Sequence, residues 1–223
     1  MEKHIERVID TGFVNHDVKF FRLEKPENYD FSPGQATEVS INNSDWSDEK
    51  RPFTFTSLPD EEYLEFTIKI YSSHEGVTNE LAGIDRGDEL ILHEVFGAIQ
   101  YKGKGVFIAG GAGVTPFIAI FRKLHKDGNI DGNKLIFGNK TEKDIILKNE
   151  FEKMLGDHFI NILSDEDIKP YDHGFIDREY IEKLGVKKDQ YFYVCGPPPM
   201  MEQVLKALEE IGVDEKYIVK EDL

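Results

Sequence analysis

After Tyr101 the chain alternates short apolar strands with amphipathic helices, and no other feature constrains its fold as much. "GVFIAG" reads as a strand, and "PFIAIFRKLHKDG" as a helix that stops at Gly128. "KLIFG" with "LKNEFEKML" repeats the pair. "FINIL" with "DREYIEKLG" repeats it again, with Gly185 as the stop. "YFYVC" with "PMMEQVLKALEEIG" closes on Gly212, and "YIV" adds a last strand. Strands joined by helices run parallel, so residues 103–223 are expected to form a Rossmann-like α/β domain, a parallel sheet with helices on both faces.

Residues 1–102 have a different rhythm. The runs at 4–9, 18–23, 36–41, 53–57, 64–71 and 89–95 are short, often alternating, and separated by turn residues. In "EFTIKIY", Phe66, Ile68 and Ile70 alternate with Thr67 and Lys69, as on a half-buried strand. Six such runs fit an antiparallel β-barrel. The one helical hint there lies near Thr78 to Ala82, and the acidic turn "NNSDWSDEK" (42–50) reads as a flexible surface loop. The boundary is expected in Lys102-Gly103-Lys104-Gly105.

Composition excludes several classes of function. The net charge is -16, which argues against nucleic acid or an anionic membrane as partner, since both reward Lys and Arg. No apolar run approaches the ~20 residues that span a bilayer. The single cysteine, Cys195, cannot form an internal disulfide or hold zinc or an iron–sulfur cluster. No close histidine pair suggests a metal site, and no signal-like segment opens the chain. The expectation is a cytoplasmic monomer.

Four motifs carry chemistry. "RPFT" (51–54) combines a guanidinium suited to phosphate, Pro52, a ring at Phe53 that can cover another ring, and the hydroxyl of Thr54. "EGVTNEL" (75–81) sets Gly76, Val77 and Thr78 at the start of a short helix, a place for phosphate. In "GGAGVTPF" (110–117), glycines allow close approach of a ligand, Thr115 suits an N-cap and Pro116 a first helical residue. It is neither G-x-G-x-x-G nor a Walker A loop, and alone it is equally a tight strand-to-helix turn. "YVCGPPPMM" (193–201) puts the lone thiol where a strand feeds a helix, at the edge where α/β sheets bind ligands.

In this order and in these halves, the four motifs resemble those of the ferredoxin–NADP reductase-like flavoenzyme superfamily. The resemblance covers essentially the whole chain. It implies an NAD(P)H-dependent flavoprotein reductase that binds FAD in the barrel and the coenzyme in the α/β domain. Electrons then leave for a separate acceptor: a ferredoxin or flavodoxin, a heme protein or a small oxidant. By this resemblance Arg51 contacts the flavin diphosphate, Thr54 bonds flavin N5, and Gly76, Val77 and Thr78 form a second phosphate loop. Phe53 stands where the family usually has Tyr, which keeps the stacking and loses the phenol. Gly111, Gly113, Thr115 and Pro116 match the coenzyme loop. Cys195, Gly196 and Pro197 shape the nicotinamide pocket, and Glu221 matches the family's C-terminal acid. Leu223 stands where members often end in an aromatic residue, so no aromatic lid is expected. The coenzyme's adenosine ribose is expected at "GNKTEKD" (138–144), near Asn139 and Lys140, where Glu142 and Asp144 oppose a 2′-phosphate and favour NADH. A flavin-bearing subunit of a larger redox complex, and a flavin-binding protein without turnover, are the alternatives.

Overall fold

The computed structural model describes residues 3–73, 75–97 and 99–221. They divide into two compact units: the N-terminal stretch through residue 97 with 115–123, and residues 99–114 with 124–221.

The first unit holds β1 (His4–Phe13), β2 (Val18–Glu24), β3 (Ala36–Ile41), β4 (Arg51–Thr54), β5 (Tyr63–Lys69) and β6 (Glu89–Phe96). They form one antiparallel sheet in the order β4-β3-β6-β1-β2-β5. The two ends of that order meet. Phe55, just past β4, bridges to Phe66 of β5, and the Thr56 N–H donates to the Glu65 carbonyl at 2.7 Å. Closure makes the sheet a barrel and removes its open edges. It also explains why β4 starts and stops two to three residues before the run expected at 53–57. After Thr54 the chain leaves β3 and changes partner to β5.

Inward-facing residues fill the barrel, among them Phe21, Leu23, Val39, Phe55, Leu64, Phe66 and Leu92, with Phe31 stacked on Phe55 at 4.2 Å. Burying one such side chain contributes roughly 1.5–3 kcal/mol. A short α1 (Val77–Glu80) runs into a 3₁₀ turn at Leu81–Gly83, and Val77 and Leu81 sink into this core. The acidic loop at 42–50 is less free than its composition implies. Trp46 packs against the core, and the Asn43 side chain accepts the N–H groups of Asp45 and Trp46.

The second unit holds β7 (Gly105–Gly110), β8 (Lys134–Asn139), β9 (Phe159–Leu163), β10 (Asp172–His173), β11 (Tyr191–Cys195) and β12 (Ile218–Lys220). All pair in parallel, in the order β10-β9-β8-β7-β11-β12. In chain order the strands are joined through α2 (Thr115–Lys126), most of which belongs to the first unit, and through α3 (Lys148–Leu155), α4 (Arg178–Lys183) and α5 (Pro198–Ile211). β10 is too short to show periodicity in sequence. On one face Ile108, Ile136 and Val194 pack with Ile181 of α4 and Met201, Val204 and Leu208 of α5. On the other, Phe107 stacks on Tyr193 at 4.1 Å, and Phe159 lies against Phe137 and Phe151 of α3. Helices therefore cover both faces, as the alternation requires. The Tyr193 hydroxyl accepts the N–H groups of Lys102 and Gly103 at 2.8 and 3.0 Å, which ties that glycine-rich stretch to this sheet.

Candidate functional site

The strand order reverses at β7 and β11: β8 to β10 lie to one side and β12 to the other. The reversal point of an open parallel sheet, at the carboxyl ends, is where its ligands bind. The "GGAGVTP" and "CGPPPM" loops leave from there, with Ala109 paired to Cys195. Their glycines serve different ends. A Cβ on Gly113 would collide with the backbone of Cys195 and Gly196, and one on Gly110 would strike Met200 and Pro197. Both are small because the loops press together. Gly111 is different: its φ is +51°, and nothing lies within 4 Å of where its Cβ would stand. That open space leaves room for a ligand against the backbone.

Helical backbone starts earlier than expected here. A 3₁₀ turn at Gly111–Val114 runs directly into α2, so Thr115 sits inside the helical run rather than capping it, and Pro116 follows one residue later. The orphan N–H groups of the run therefore come from the glycine-rich segment itself.

Cys195 ends β11, half-buried, and Glu221 follows β12 directly, where Val194 pairs with Lys220. The two residues lie 26 positions apart in sequence, and the sheet sets them side by side. Burial first, and then the Glu221 carboxylate, push the Cys195 thiol up to about 12. Burial raises the Glu221 carboxyl as well. Cys195 is thus a neutral thiol at any ordinary pH, suited to line an apolar ring and unsuited to nucleophilic attack. Leu223 lies outside the described residues.

Asn139 ends β8, beside β7, with Gly110 paired to Gly138. Its Nδ2 is buried and has no hydrogen-bond partner among the described residues. A buried donor left unmade is costly, so the atom fits a ligand acceptor. Lys140 is exposed. The acids beside it are already engaged. Asp144 closes a capping box with Thr141, whose Oγ1 donates at 2.6 Å. Glu142 takes Lys148 Nζ at 2.8 Å and the Tyr171 hydroxyl at 2.6 Å, contacts that lower its carboxyl. The Glu142 N–H donates to Glu166 at 2.7 Å. Glu166, Lys148 and Tyr171 were not visible as part of this loop in sequence, because they arrive from later elements.

The barrel carries the other motifs. On β4, Arg51 and Pro52 are exposed, Phe53 is half-buried against the barrel core and Thr54 is buried. The Arg51 guanidinium spends one donor on the Lys50 carbonyl at 2.6 Å and lies 3.6 Å from Glu49, which leaves the rest of its fork for a phosphate. Gly76 precedes α1, with nothing within 4 Å of its would-be Cβ, and its carbonyl accepts the N–H groups of Asn79 and Glu80. An exposed arginine, a glycine facing open space and a buried hydroxyl fit a flavin diphosphate and ring.

A cavity of about 200 Å³ opens elsewhere, at the amino ends of the parallel strands, where Gly105, Asn133, Lys134, His158 and Gln190 line it. It is the opposite edge from the motifs.

Residues 107–206 match the oxidoreductase NAD-binding domain family. The chain is 29% identical to NADH-cytochrome b5 reductase 1 of Bos taurus, across 96% of this chain and 84% of that protein. Its fold is similar to the FAD/NAD-binding domain of nitric oxide dioxygenase from Vibrio cholerae, with TM-score 0.85 and 21% identity over 97% of this chain and 96% of that one. It is similar as well to a ferredoxin NADP+ reductase from Neisseria gonorrhoeae with bound FAD and NADP, with TM-score 0.84 and 17% identity over 99% and 98% of the two chains. The pairing of an antiparallel barrel with a parallel sheet agrees with the fold of these solved structures, and in sequence and fold the chain is similar to the ferredoxin reductase-like FAD/NAD-binding oxidoreductases.

Proposed function

We propose that the chain is an NAD(P)H-dependent flavoprotein reductase that passes electrons to a separate acceptor. One observation carries this reading: Gly113 packed on the backbone of Cys195, which joins the coenzyme loop and the thiol-bearing loop at the reversal point of the parallel sheet. The barrel adds Arg51, Thr54 and the Gly76–Thr78 segment. Flavin, when bound, supplies the means to accept a hydride at N5 and release electrons singly or in pairs. The protein's part is alignment and polarity.

Arg51 and the N–H groups at Val77 and Thr78 hold the diphosphate, Phe53 covers the ring and Thr54 offers its hydroxyl to N5. Gly111, Thr115 and Pro116 frame the coenzyme pyrophosphate, while Gly113 lets the two loops meet. Asn139 Nδ2 bonds the adenosine side, and Lys140 borders it. Cys195, as a neutral thiol, with Gly196 and Pro197, shapes the nicotinamide pocket, and Glu221 sets its polarity. The working division of the chain is 1–102 for flavin and 103–223 for coenzyme.

The acceptor is of the kind the relatives' names indicate, a heme protein such as a b-type cytochrome, ahead of a ferredoxin or flavodoxin. No helix among the described residues is long and apolar enough to cross a membrane; a cytoplasmic monomer is the form we propose to act. The test is direct. Purified protein incubated with FAD should turn yellow, bleach on addition of NADH under argon and recover its colour with a cytochrome. Protein that stays colourless after FAD incubation would end this reading.

A further inference from the structure

Lys19 occupies a core-facing position. In β2 the alternation places Lys19, Phe21 and Leu23 on one side, and all three are buried, Lys19 with 4% of its surface exposed. An ammonium there demands compensation. Its Nζ donates to the carbonyls of Ala82 at 3.0 Å and Ile84 at 2.6 Å. It also lies 5.6 and 5.4 Å from the ring centroids of Phe13 and Phe21. Among the described residues, the carboxylate paired with it is Asp85 at 3.9 Å, which is 86% exposed and contributes little. The charge is therefore met chiefly by backbone carbonyls and aromatic faces.

Those carbonyls end the helical segment that starts at Val77, runs through Glu80 and continues as a 3₁₀ turn to Gly83. A cation at the carboxyl end of such a run satisfies its orphan carbonyls and complements its dipole. Val77 and Leu81 anchor the same segment in the core. Gly76, at its other end, meets no protein atom where a Cβ would stand. The geometry points to Lys19 as a positioning residue: it fixes the Gly76–Thr78 phosphate segment from behind, before any flavin arrives. This rests on the flavin reading above, and it assigns to a buried lysine outside every sequence motif a role specific to the phosphate end of the ligand.

The test compares wild type, Lys19→Gln and Lys19→Arg. Tight FAD binding by wild type, read by flavin fluorescence quenching, checks the flavin reading separately. In Lys19→Gln the FAD dissociation constant should rise roughly tenfold, the scale of a lost charge–dipole contact. At saturating FAD its ³¹P pyrophosphate resonances should shift while the visible flavin band keeps its shape. Lys19→Arg should recover much of the affinity. A merely structural lysine would change both signals or neither, and either result overturns the assignment. Hydrogen exchange on wild-type apoprotein applies even if Lys19→Gln does not fold. Amides at 79–84 should already be protected without flavin; protection that appears only with FAD would show that the ligand, not Lys19, orders the segment.

Discussion

Arg122 Nη1 lies 2.6 Å from Glu65 Oε1 and 2.7 Å from the Thr56 carbonyl, while Arg22 Nε holds the other Glu65 oxygen at 2.9 Å. Thr56 Oγ1 donates to the same carboxylate at 3.0 Å. Glu65 is 3% exposed. Burial alone would raise its carboxyl. Arg122, by charge and hydrogen bond, and then Arg22 outweigh burial and hold it below the usual carboxylate range.

Glu65→Gln should therefore cost about 2–3 kcal/mol of stability at pH 7, somewhat under the usual loss for a broken buried pair, since Arg22 is partly solvated. The pH dependence has a fixed sign. A depressed folded-state pKa gives stability that is complete above the unfolded carboxyl value near ~4.3 and is lost as pH falls through the folded value. Urea unfolding from pH 7 to 3 should show wild type and variant converging in acid. Curves that stay parallel would remove the ionised pair as the cause.

Arg51→Ala should weaken FAD binding by about 1.5–3 kcal/mol, the value of a hydrogen bond to a charged group. The guanidinium is exposed and meets only its chain neighbours, the Lys50 carbonyl and the exposed Glu49 carboxylate, among the described contacts, so its removal should leave the barrel intact. Thermal melting of the apoprotein should hardly change. Fluorescence titration decides the point, and unchanged affinity would return Arg51 to the ordinary role of a solvated strand residue.

Cys195→Ala should slow NADH-driven bleaching of the flavin band about tenfold, equivalent to about 1.4 kcal/mol of barrier, and leave FAD affinity unaltered. The thiol stands in the coenzyme-side unit, between Gly113 and Glu221, and the residues proposed for the flavin phosphates belong to the other unit. With the thiol pushed up to about 12, iodoacetamide at pH 8 should label it at least about tenfold more slowly than a free cysteine. Stopped-flow reduction of the variant at the native rate would make Cys195 a packing residue only.

Much of this was legible in the chain. Strand–helix alternation after Tyr101 fixes a parallel sheet, and the period-2 runs before it fix an antiparallel one, because burial on one face leaves no other register. What stayed hidden depends on which residues the topology brings together. Glu221 meets Cys195 only because β12 pairs with β11. Glu166 and Tyr171 reach the Glu142 loop from 24 and 29 residues away. Gly113, read as part of the coenzyme loop, packs against the backbone of Cys195, a contact that residue spacing alone does not reveal. The lysine at position 19 did carry a signal, a charge on the apolar side of a strand, but its meaning needed the carbonyls of Ala82 and Ile84.

NADH should be preferred over NADPH, and by a modest factor. A 2′-phosphate adds nearly two negative charges beside the 138–144 loop. Lys140, in that loop, is exposed, and an exposed pairing is worth about 0–1 kcal/mol. Against it stand Glu142, partly neutralised by Lys148, and Glu166, whose carboxylate accepts the Glu142 N–H. Asp144 is turned inward to cap Thr141 and counts for less. A solvated Lys140 set against Glu166 and a half-balanced Glu142 leaves a small deficit for NADPH. Steady-state kcat/KM for both coenzymes measures it. Glu166→Gln should raise kcat/KM for NADPH a fewfold and leave NADH nearly unchanged, while Lys140→Ala should lower NADPH turnover further and spare NADH. A strong native preference for NADPH that Lys140→Ala abolishes would reverse the assignment, because it would mean that the lysine binds the phosphate and outweighs both acids.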